Sequence, residues 1–253
     1  MTTMNLAVHI HAGLAEHSGN SRVHCVTAPD TSGGTAILKA GGARWKLSRA
    51  TRPAGSPGML FHDLAAAVLD GTARATTTHL AFTFDAWSVD NYVLVPGAVY
   101  AGNRFPAFQS AYPPLPRPST PSQPLPHALQ ISDIPRLNAA PGPSRLGQLT
   151  SDPAVPGIGI FFPARRQGLW FMLPERTQHG LLGIELEEDA TRGQAVLRFS
   201  APGIRHDHAY EIANAHAPSD EYIPDFTAGT HISFAVCVHA FACQDIQGLF
   251  DTL

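Results

Sequence analysis

Residues 157–175, GIGIFFPARRQGLWFMLPE, decide the fold class of this chain. The stretch contains two short apolar runs, at 157–164 and 168–175, with a polar break between them. Short runs rich in β-branched and aromatic residues, bounded by Gly or Pro, are typical of β-strands. The two runs therefore predict a pair of neighbouring strands.

The same punctuation recurs along the chain, where 22 Gly and 22 Pro among 253 residues separate short β-type runs. Several of these runs alternate apolar and polar residues, which fits sheets that pack one face against a second sheet. The sequence thus predicts an all-β fold, a two-sheet antiparallel supersandwich with few short helices. Further strands are predicted at 35–40, 43–50, 78–89, 91–100, 180–189, 194–203 and 230–241.

Two segments carry a helical pattern instead. The run MLFHDLAAAVLDGTA at 59–73 ends with a Gly stop signal, and its apolar residues have helical spacing at Leu60, Leu64, Val68 and Leu69. We therefore predict a helix over 59–73. The final residues repeat the pattern over one turn, with apolar side chains at Ile246, Leu249 and Phe250.

One large β-sandwich domain is predicted over 1–253, with a Pro-rich excursion at 106–144. Ile131, Ile134 and Leu137 could anchor this excursion on the domain, and a polyproline linker is the alternative. Because the last helical turn stops before a second turn closes, we expect that a longer chain could continue into a C-terminal α/α barrel.

Composition excludes several function classes. A net charge of −3 without clustered Lys or Arg excludes nucleic acid as a partner. No apolar window reaches membrane length and no export signal is visible, so we expect no membrane partner and a cytoplasmic location, or a periplasmic one if the chain is a fragment. Cys25, Cys237 and Cys243 form no CxxC pair. No cofactor is predicted.

Histidines form two clusters that could bind a metal. His9 and His11 share one face of a strand, and a second cluster follows at His206, Asp207, His208, Glu211 and His216. A metal-dependent hydrolase that uses His9, His11, His206 and His208 is one alternative function. Surface-facing or loop histidines are the other interpretation, and the sequence favours no metal site.

The acidic run GIELEED offers carboxylates at Glu185, Glu187, Glu188 and Asp189. Sugar hydrolysis needs two carboxylates that flank the glycosidic bond. Glu185 and Glu187, however, share one face of a strand while Ile184 and Leu186 share the other. That alternation is what a half-buried sheet strand produces, and it is the interpretation we favour.

The segment WSVDNYVLVPGAVYAGNRFP at 87–106 mixes aromatic rings with planar polar side chains. Rings cover the apolar faces of sugars and planar polar groups take their hydroxyls, so this mixture suits a carbohydrate. Aromatic core residues and polar turn caps would give the same mixture. The candidate substrate-binding residues are Trp87, Asp90, Tyr92, Tyr100, Asn103 and Arg104.

The order of these pieces, NYVLVPGAVYAGNRF, then the strands of 156–175 and 180–189, then DFTAGTHISFAVCVHAFACQDIQGLFD, resembles a known domain family. It is similar to the N-terminal β-supersandwich domain that precedes the six-hairpin α/α barrel in multidomain bacterial glycoside hydrolases. The resemblance implies a non-catalytic module of a carbohydrate-active enzyme, which shapes the sugar cleft or packs on the catalytic barrel.

The resemblance also implies that the catalytic acid and base lie on the barrel, so the chain alone would not be active. Tyr100, Asn103 and Arg104 would then form a lip of the sugar cleft. The implied partners are a carbohydrate or the α/α barrel domain. A purely structural interaction module remains a further alternative.

Overall fold

A computed structural model describes residues 8–19, 21–29, 34–104, 135–204, 208–210, 215–217 and 223–253. Almost all regular structure in these ranges is β-strand, and every strand pair is antiparallel. The prediction of an all-β fold built from two antiparallel sheets is therefore confirmed.

The described residues form eighteen strands and one short helix. In chain order the strands are β1 (Val8–Ser18), β2 (Ser21–Thr27), β3 (Thr35–Ala40), β4 (Ala43–Pro53), β5 (Met59–Ala73), β6 (Thr76–Phe84), β7 (Tyr92–Leu94), β8 (Ser144–Leu149), β9 (Gly157–Phe162), β10 (Gln167–Met172), β11 (Arg176–Thr177), β12 (Gly180–Leu181), β13 (Gly183–Glu188), β14 (Ala195–Ala201), β15 (His208–Tyr210), β16 (Ala215–Ala217), β17 (Phe226–Thr227) and β18 (His231–Ala242). The helix is α1 (Ile246–Phe250), and short 3-10 turns cover Ala101–Asn103 and Pro163–Arg165.

The strands form two main sheets. The first has six strands in the order β2-β1-β6-β14-β13-β8, and the second has the order β3-β4-β5-β18-β10-β9-β7 with β17 added beside β5. The predicted pair at 157–175 is the hairpin of β9 and β10, in which Trp170 pairs with Gly159.

The core lies between the two sheets because strand alternation sends every second side chain inward. Phe82 and Phe199 from the first sheet meet Phe171 from the second, with ring centroids 5.0 Å and 5.8 Å from Phe171. All three side chains are fully buried. These edge-on and tilted contacts lock the two sheets face to face.

A second, smaller cluster covers the outer face of the second sheet. Leu249 of α1 is fully buried there against Trp170 and Phe161. The indole Nε1 of Trp170 donates a hydrogen bond of 3.0 Å to the carbonyl of Leu249. The predicted helical turn at the end of the chain is therefore present and packs on the sandwich.

The helix predicted over 59–73 is wrong, because this segment is the long strand β5. Leu64, Ala66 and Val68 are buried in alternation, as a strand requires. The strand pairs with β4 on one side and β18 on the other, so pairing on both edges overrides the helical spacing of its leucines.

Elsewhere the predicted strands are found with shifted ends. The strand predicted at 91–100 contains only β7, after which the chain forms turns. The sequence places His9 and His11 on a strand, which is β1, but it predicts no strand at β2, β8, β11, β15, β16 or β17. Leu137 of the Pro-rich excursion is fully buried, whereas Ile131 and Ile134 lie outside the described residues.

Candidate functional site

The outward face of the six-stranded sheet is polar, and the strand register places its side chains in rows. His9, Thr83, Val196, Glu187 and Arg145 lie side by side across β1, β6, β14, β13 and β8. The next row runs through His11, Ala81, Arg198, Glu185 and Gly147. We call this surface the polar face.

Five charged side chains on the polar face form one arginine–glutamate network, which comprises Arg22, Arg145, Arg198, Glu185 and Glu187. Arg198 Nη1 donates to Glu185 Oε1 at 2.6 Å and to Glu187 Oε2 at 3.0 Å. Arg145 Nε donates to Glu185 Oε2 at 3.0 Å, and Arg22 donates to both carboxylates. Charged side chains are rarely buried to this extent, so the network marks the polar face as a functional-site candidate.

Burial and the attraction of nearby carboxylates shift the pKa of Arg22 in opposite directions. Burial disfavours its charge, but the carboxylates of Glu185 and Glu187 outweigh that effect and raise the pKa of Arg22 above its ordinary value. The guanidinium therefore stays charged and holds the carboxylates beside it.

His79 lies on the polar face beside Ser200 and across from Gly13. Burial, together with the positive charges of Arg198 and Arg22, lowers the pKa of His79 to about 3. Its imidazole is therefore neutral at physiological pH. Gly13 is required beneath it, because a Cβ there would stand 2.6 Å from His79 Nε2.

An open cleft of about 580 Å³ adjoins the network at Arg145 and Glu187. Arg145 Nη1 has no hydrogen bond among the described residues, and its side chain is about one-third exposed. Val196 contributes an aliphatic floor. The polar lining residues are Asn138, Ser144, Arg145, Glu187, Glu188, Asp189 and Gln194.

A second open cleft, of about 620 Å³, lies at Glu16, Lys39, Arg44 and Asp70. Volume alone therefore does not distinguish the two clefts. The Arg44–Asp70 pair is about half exposed, so it orders its side chains weakly, whereas Glu187 contacts three arginines of the network. Preorganised polar groups make the cleft beside the network the stronger candidate for a binding site.

Two of the predicted sugar-binding residues lie directly beneath this cleft. Trp87 is buried and donates its indole Nε1 to Glu188 Oε1 at 2.7 Å. Arg104 Nη1 donates to Glu188 Oε2 at 3.0 Å, and the Glu188 carboxylate is fully buried. Trp87 and Arg104 therefore hold the cleft wall through Glu188.

Asn103 caps the turn that leads to Arg104. Its Oδ1 accepts from the Tyr100 amide at 2.9 Å, while its Nδ2 donates to the carbonyls of Ala98 and Pro135, each at 2.9 Å. Asn103 adopts φ 51°, in the left-handed region where Asn is among the better tolerated residues.

Tyr92, Tyr100 and Asp90 lie elsewhere. Tyr100 is exposed, and its ring lies nearly parallel to that of Phe250, with centroids 6.4 Å apart. Tyr92 packs against the small cluster under α1, and burial raises its pKa. Asp90 is exposed and bonds locally to Ser88. The structure thus places three of the six predicted residues at or beneath the cleft and three away from it, and sugar binding by each of them stays a prediction.

The histidine clusters are only partly described. His9 Nε2 lies 2.8 Å from Asp85 Oδ2, and the His9 and His11 rings are nearly parallel at 6.4 Å. His206, Asp207 and Glu211 lie outside the described residues, and nothing is described of the side chains of His208 and His216. Among the described side chains, no three His, Cys, Asp or Glu residues group as metal ligands do.

The carboxylates of Glu185 and Glu187 share the guanidinium of Arg198, so a cation occupies the space between them. Glycoside hydrolysis instead requires the sugar bond to lie between two carboxylates. The prediction that both residues share one sheet face is confirmed, but arginines surround them rather than solvent.

Sequence reasoning missed the three arginines of the network and the histidine beneath them. A signal was present in β1, where Val8, Ile10, Ala12 and Leu14 alternate with polar or small residues. That alternation identifies a half-buried strand whose outer side chains, including His9 and His11, share one face. No comparable local pattern predicts that Arg22 belongs to the network, because its partners lie far away in the sequence.

No protein-family model matches the chain, and no curated protein matches it in sequence. Similar shapes occur among solved structures. A candidate aldose 1-epimerase of Escherichia coli K12 is 10% identical, with a TM-score of 0.47 over 82% of this chain and 64% of the other. The Slr1438 protein of Synechocystis sp. PCC 6803 is 12% identical, with a TM-score of 0.42 over 82% of this chain and 66% of the other.

The chain thus spans slightly less than two thirds of the length of either protein. Among the described residues, no helix is long and apolar enough to cross a membrane.

Proposed function

We propose that this chain binds carbohydrate in the cleft beside the arginine–glutamate network. We further propose that it serves as the non-catalytic N-terminal module of a carbohydrate-active enzyme of the glycoside hydrolase type. The observation that carries the first part is the cleft of about 580 Å³, whose polar groups the network holds in place. Small-molecule sites have volumes of about 300–1,000 Å³.

The chemistry of the lining fits sugar hydroxyls. Arg145 offers a guanidinium donor, Glu187 and Asp189 offer acceptors, and Asn138 and Gln194 offer amides. Because the network already orients Arg145 and Glu187, little side-chain entropy would be lost when a ligand binds.

The same geometry favours binding over hydrolysis. The Arg198 guanidinium stands between Glu185 and Glu187, so these two carboxylates serve as fixed acceptors and not as an acid and base on either side of a glycosidic bond. The proposal therefore assigns catalysis to a separate α/α barrel domain, which would be the protein partner.

A glycan array followed by titration calorimetry tests the binding part. We expect binding by the wild-type protein, a loss of about tenfold or more in affinity for Arg145→Ala, and no change for Arg44→Ala in the second cleft. No binding to any glycan would overturn the proposal and favour a purely structural module. A tenfold loss in Arg44→Ala alone would assign binding to the other cleft.

Genomic sequence tests the module part. An in-frame helical continuation after the codon for Leu253, or an adjacent gene for an α/α barrel, supports it. A locus that encodes no barrel domain in the chain or beside it contradicts it. Metal analysis of the purified protein tests the metal-hydrolase alternative, since a stoichiometric metal that His9→Ala removes would favour that function.

A further inference from the structure

The cleft has two walls that come from different parts of the chain. On one wall the cleft is lined by Asn138, Pro143 and Ser144 of the segment 138–144, at the start of β8. On the other it is lined by Asp189 and Gln194, at the two ends of the turn between β13 and β14. Arg192 belongs to the turn, yet its side chain is buried and reaches the opposite wall. Its Nε donates to the carbonyl of Gly142 at 3.2 Å, and its Nη2 donates to the carbonyl of Ala140.

Glu188 ties the same two walls from below. Its carboxylate is fully buried, and Arg192 Nε lies 3.8 Å from Glu188 Oε2. Arg104 binds the same carboxylate and donates from Nη1 to the carbonyl of Asn138 at 3.1 Å. Three alternate carbonyls of one wall, at 138, 140 and 142, therefore each accept from an arginine that Glu188 holds.

The backbone of Arg192 supplies an independent observation. Its φ is 56°, a left-handed conformation that Gly or Asn adopts more easily than Arg. An arginine in this position costs about 1 kcal/mol or more. Its buried side chain, with two carbonyl partners, offsets that cost and explains the residue type.

We infer that Arg192 is a positioning residue that fixes the separation of the two cleft walls and thereby selects the size of the bound sugar. This inference rests on the proposed function of the cleft. The planar guanidinium is essential to it, because Nε and Nη2 donate in a fixed fork to two carbonyls, whereas a lysine ammonium has no such fork. Glu188 holds the guanidinium of Arg192, and Arg104 holds the segment 138–144 through the carbonyl of Asn138.

The test uses Arg192→Lys, which keeps the charge, and Arg192→Gly, which fits the left-handed backbone. Calorimetry measures the affinity for glucose, galactose, lactose, maltose and maltotriose, and the readout is the ratio of trisaccharide to monosaccharide affinity. We expect both variants to shift this ratio by about fivefold or more, because misplaced groups lose binding strongly with small displacements. A general loss of stability would not change the ratio.

The matched control is Arg74→Ala, since Arg74 is exposed and remote from the cleft, with its Nε 4.0 Å from Asp225. An unchanged ratio in both Arg192 variants overturns the inference while leaving sugar binding intact. If the wild-type protein binds none of these sugars, hydrogen exchange on the free protein decides. Exchange of the Asn138 amide, which donates to Ser144 Oγ at 2.6 Å, should rise about tenfold in Arg192→Gly relative to the β1 and β6 amides, and equal exchange overturns the inference.

Discussion

Arg22 and Glu185 are hydrogen-bonded although they lie 163 residues apart in the chain and on strands that are not neighbours. Three strands, β1, β6 and β14, separate β2 from β13 in the sheet. An arginine side chain is too short to reach across three flat strands, because β2 and β13 would then lie about 19 Å apart. The six-stranded sheet must therefore curve so that its polar face is concave.

A double-mutant cycle measures how strongly this network fastens the sheet. Arg22→Ala and Glu187→Ala, singly and together, should show a coupling free energy of unfolding of about 1–3 kcal/mol. The matched pair Arg44 and Asp70 is about half exposed and should couple by less than about 1 kcal/mol. Urea unfolding of both cycles provides the values, and equal coupling in the two pairs would contradict a role for the network in stability.

The buried His79 predicts a specific loss of stability in acid. Its pKa falls from 6.5 to about 3 on folding, so the unfolded chain binds the proton first as the pH drops below 6.5. Stability is complete above that pH and declines as pH falls towards 3, and His79 alone accounts for about 2 kcal/mol at pH 5. His79→Gln should lose correspondingly less stability between pH 7 and pH 5.

Urea unfolding of both proteins at these two pH values makes the comparison. His62 has a pKa lowered to about 4 by burial and is present in both proteins, so its contribution cancels. Parallel losses in the wild type and in His79→Gln would show that the ring at 79 is not held neutral.

Two glycines on the polar face should respond differently to an added methyl group. In Gly13→Ala the Cβ would approach His79 Nε2 to 2.6 Å and the carbonyl of Val26 to 2.7 Å. We expect a loss of about 1–3 kcal/mol from this crowding. Gly147→Ala meets nothing within 4 Å and should be neutral or slightly stabilising. Thermal unfolding separates the two outcomes, and a neutral Gly13→Ala would mean that His79 is free to move.

Two of the buried tryptophans that donate hydrogen bonds, Trp87 and Trp170, allow a matched comparison. Trp87→Phe removes a donor from the buried Glu188 carboxylate, whereas Trp170→Phe removes one from the neutral carbonyl of Leu249. Hydrogen bonds to charged groups contribute about 1.5–3 kcal/mol and neutral ones about 1 kcal/mol. Denaturant unfolding should therefore show the larger loss of unfolding free energy in Trp87→Phe. The reverse order would mean that the arginines alone stabilise the buried carboxylate of Glu188.

The sequence predicts the fold class because its signals are local. Turn residues and alternating side chains identify β9, β10, β13, β14 and β18 directly. Strand β9 pairs with β10 and β13 pairs with β14, each with its neighbour in the chain, and β18 pairs with β10. Alanines obscure the alternation of β5, because an alanine side chain is small enough for a helix or a strand. Only the pairing with β4 and β18 determines that this segment is a strand.

The site is harder to predict because its residues meet only after the sheet has formed. Trp87 and Arg104 were identified as polar and aromatic contacts, but their common partner Glu188 is about a hundred residues away from Trp87. Arg22 has partners more distant still. Strand register and sheet curvature bring these distant side chains together, and neither property can be predicted from a short segment of the sequence.

Glu187, Glu188 and Asp189 are consecutive, yet the first faces the network, the second is buried under the cleft and the third closes a turn through Thr191 and Gln194. Deleting a single residue from β13 would move every side chain on one side of the deletion to the opposite face of the sheet. Carboxylates would enter the core, and leucine would enter the cleft. In a deletion-scanning library, we therefore expect that no single-codon deletion within β13 is tolerated. The evolution of this cleft is then confined to point substitutions and to length changes in its loops.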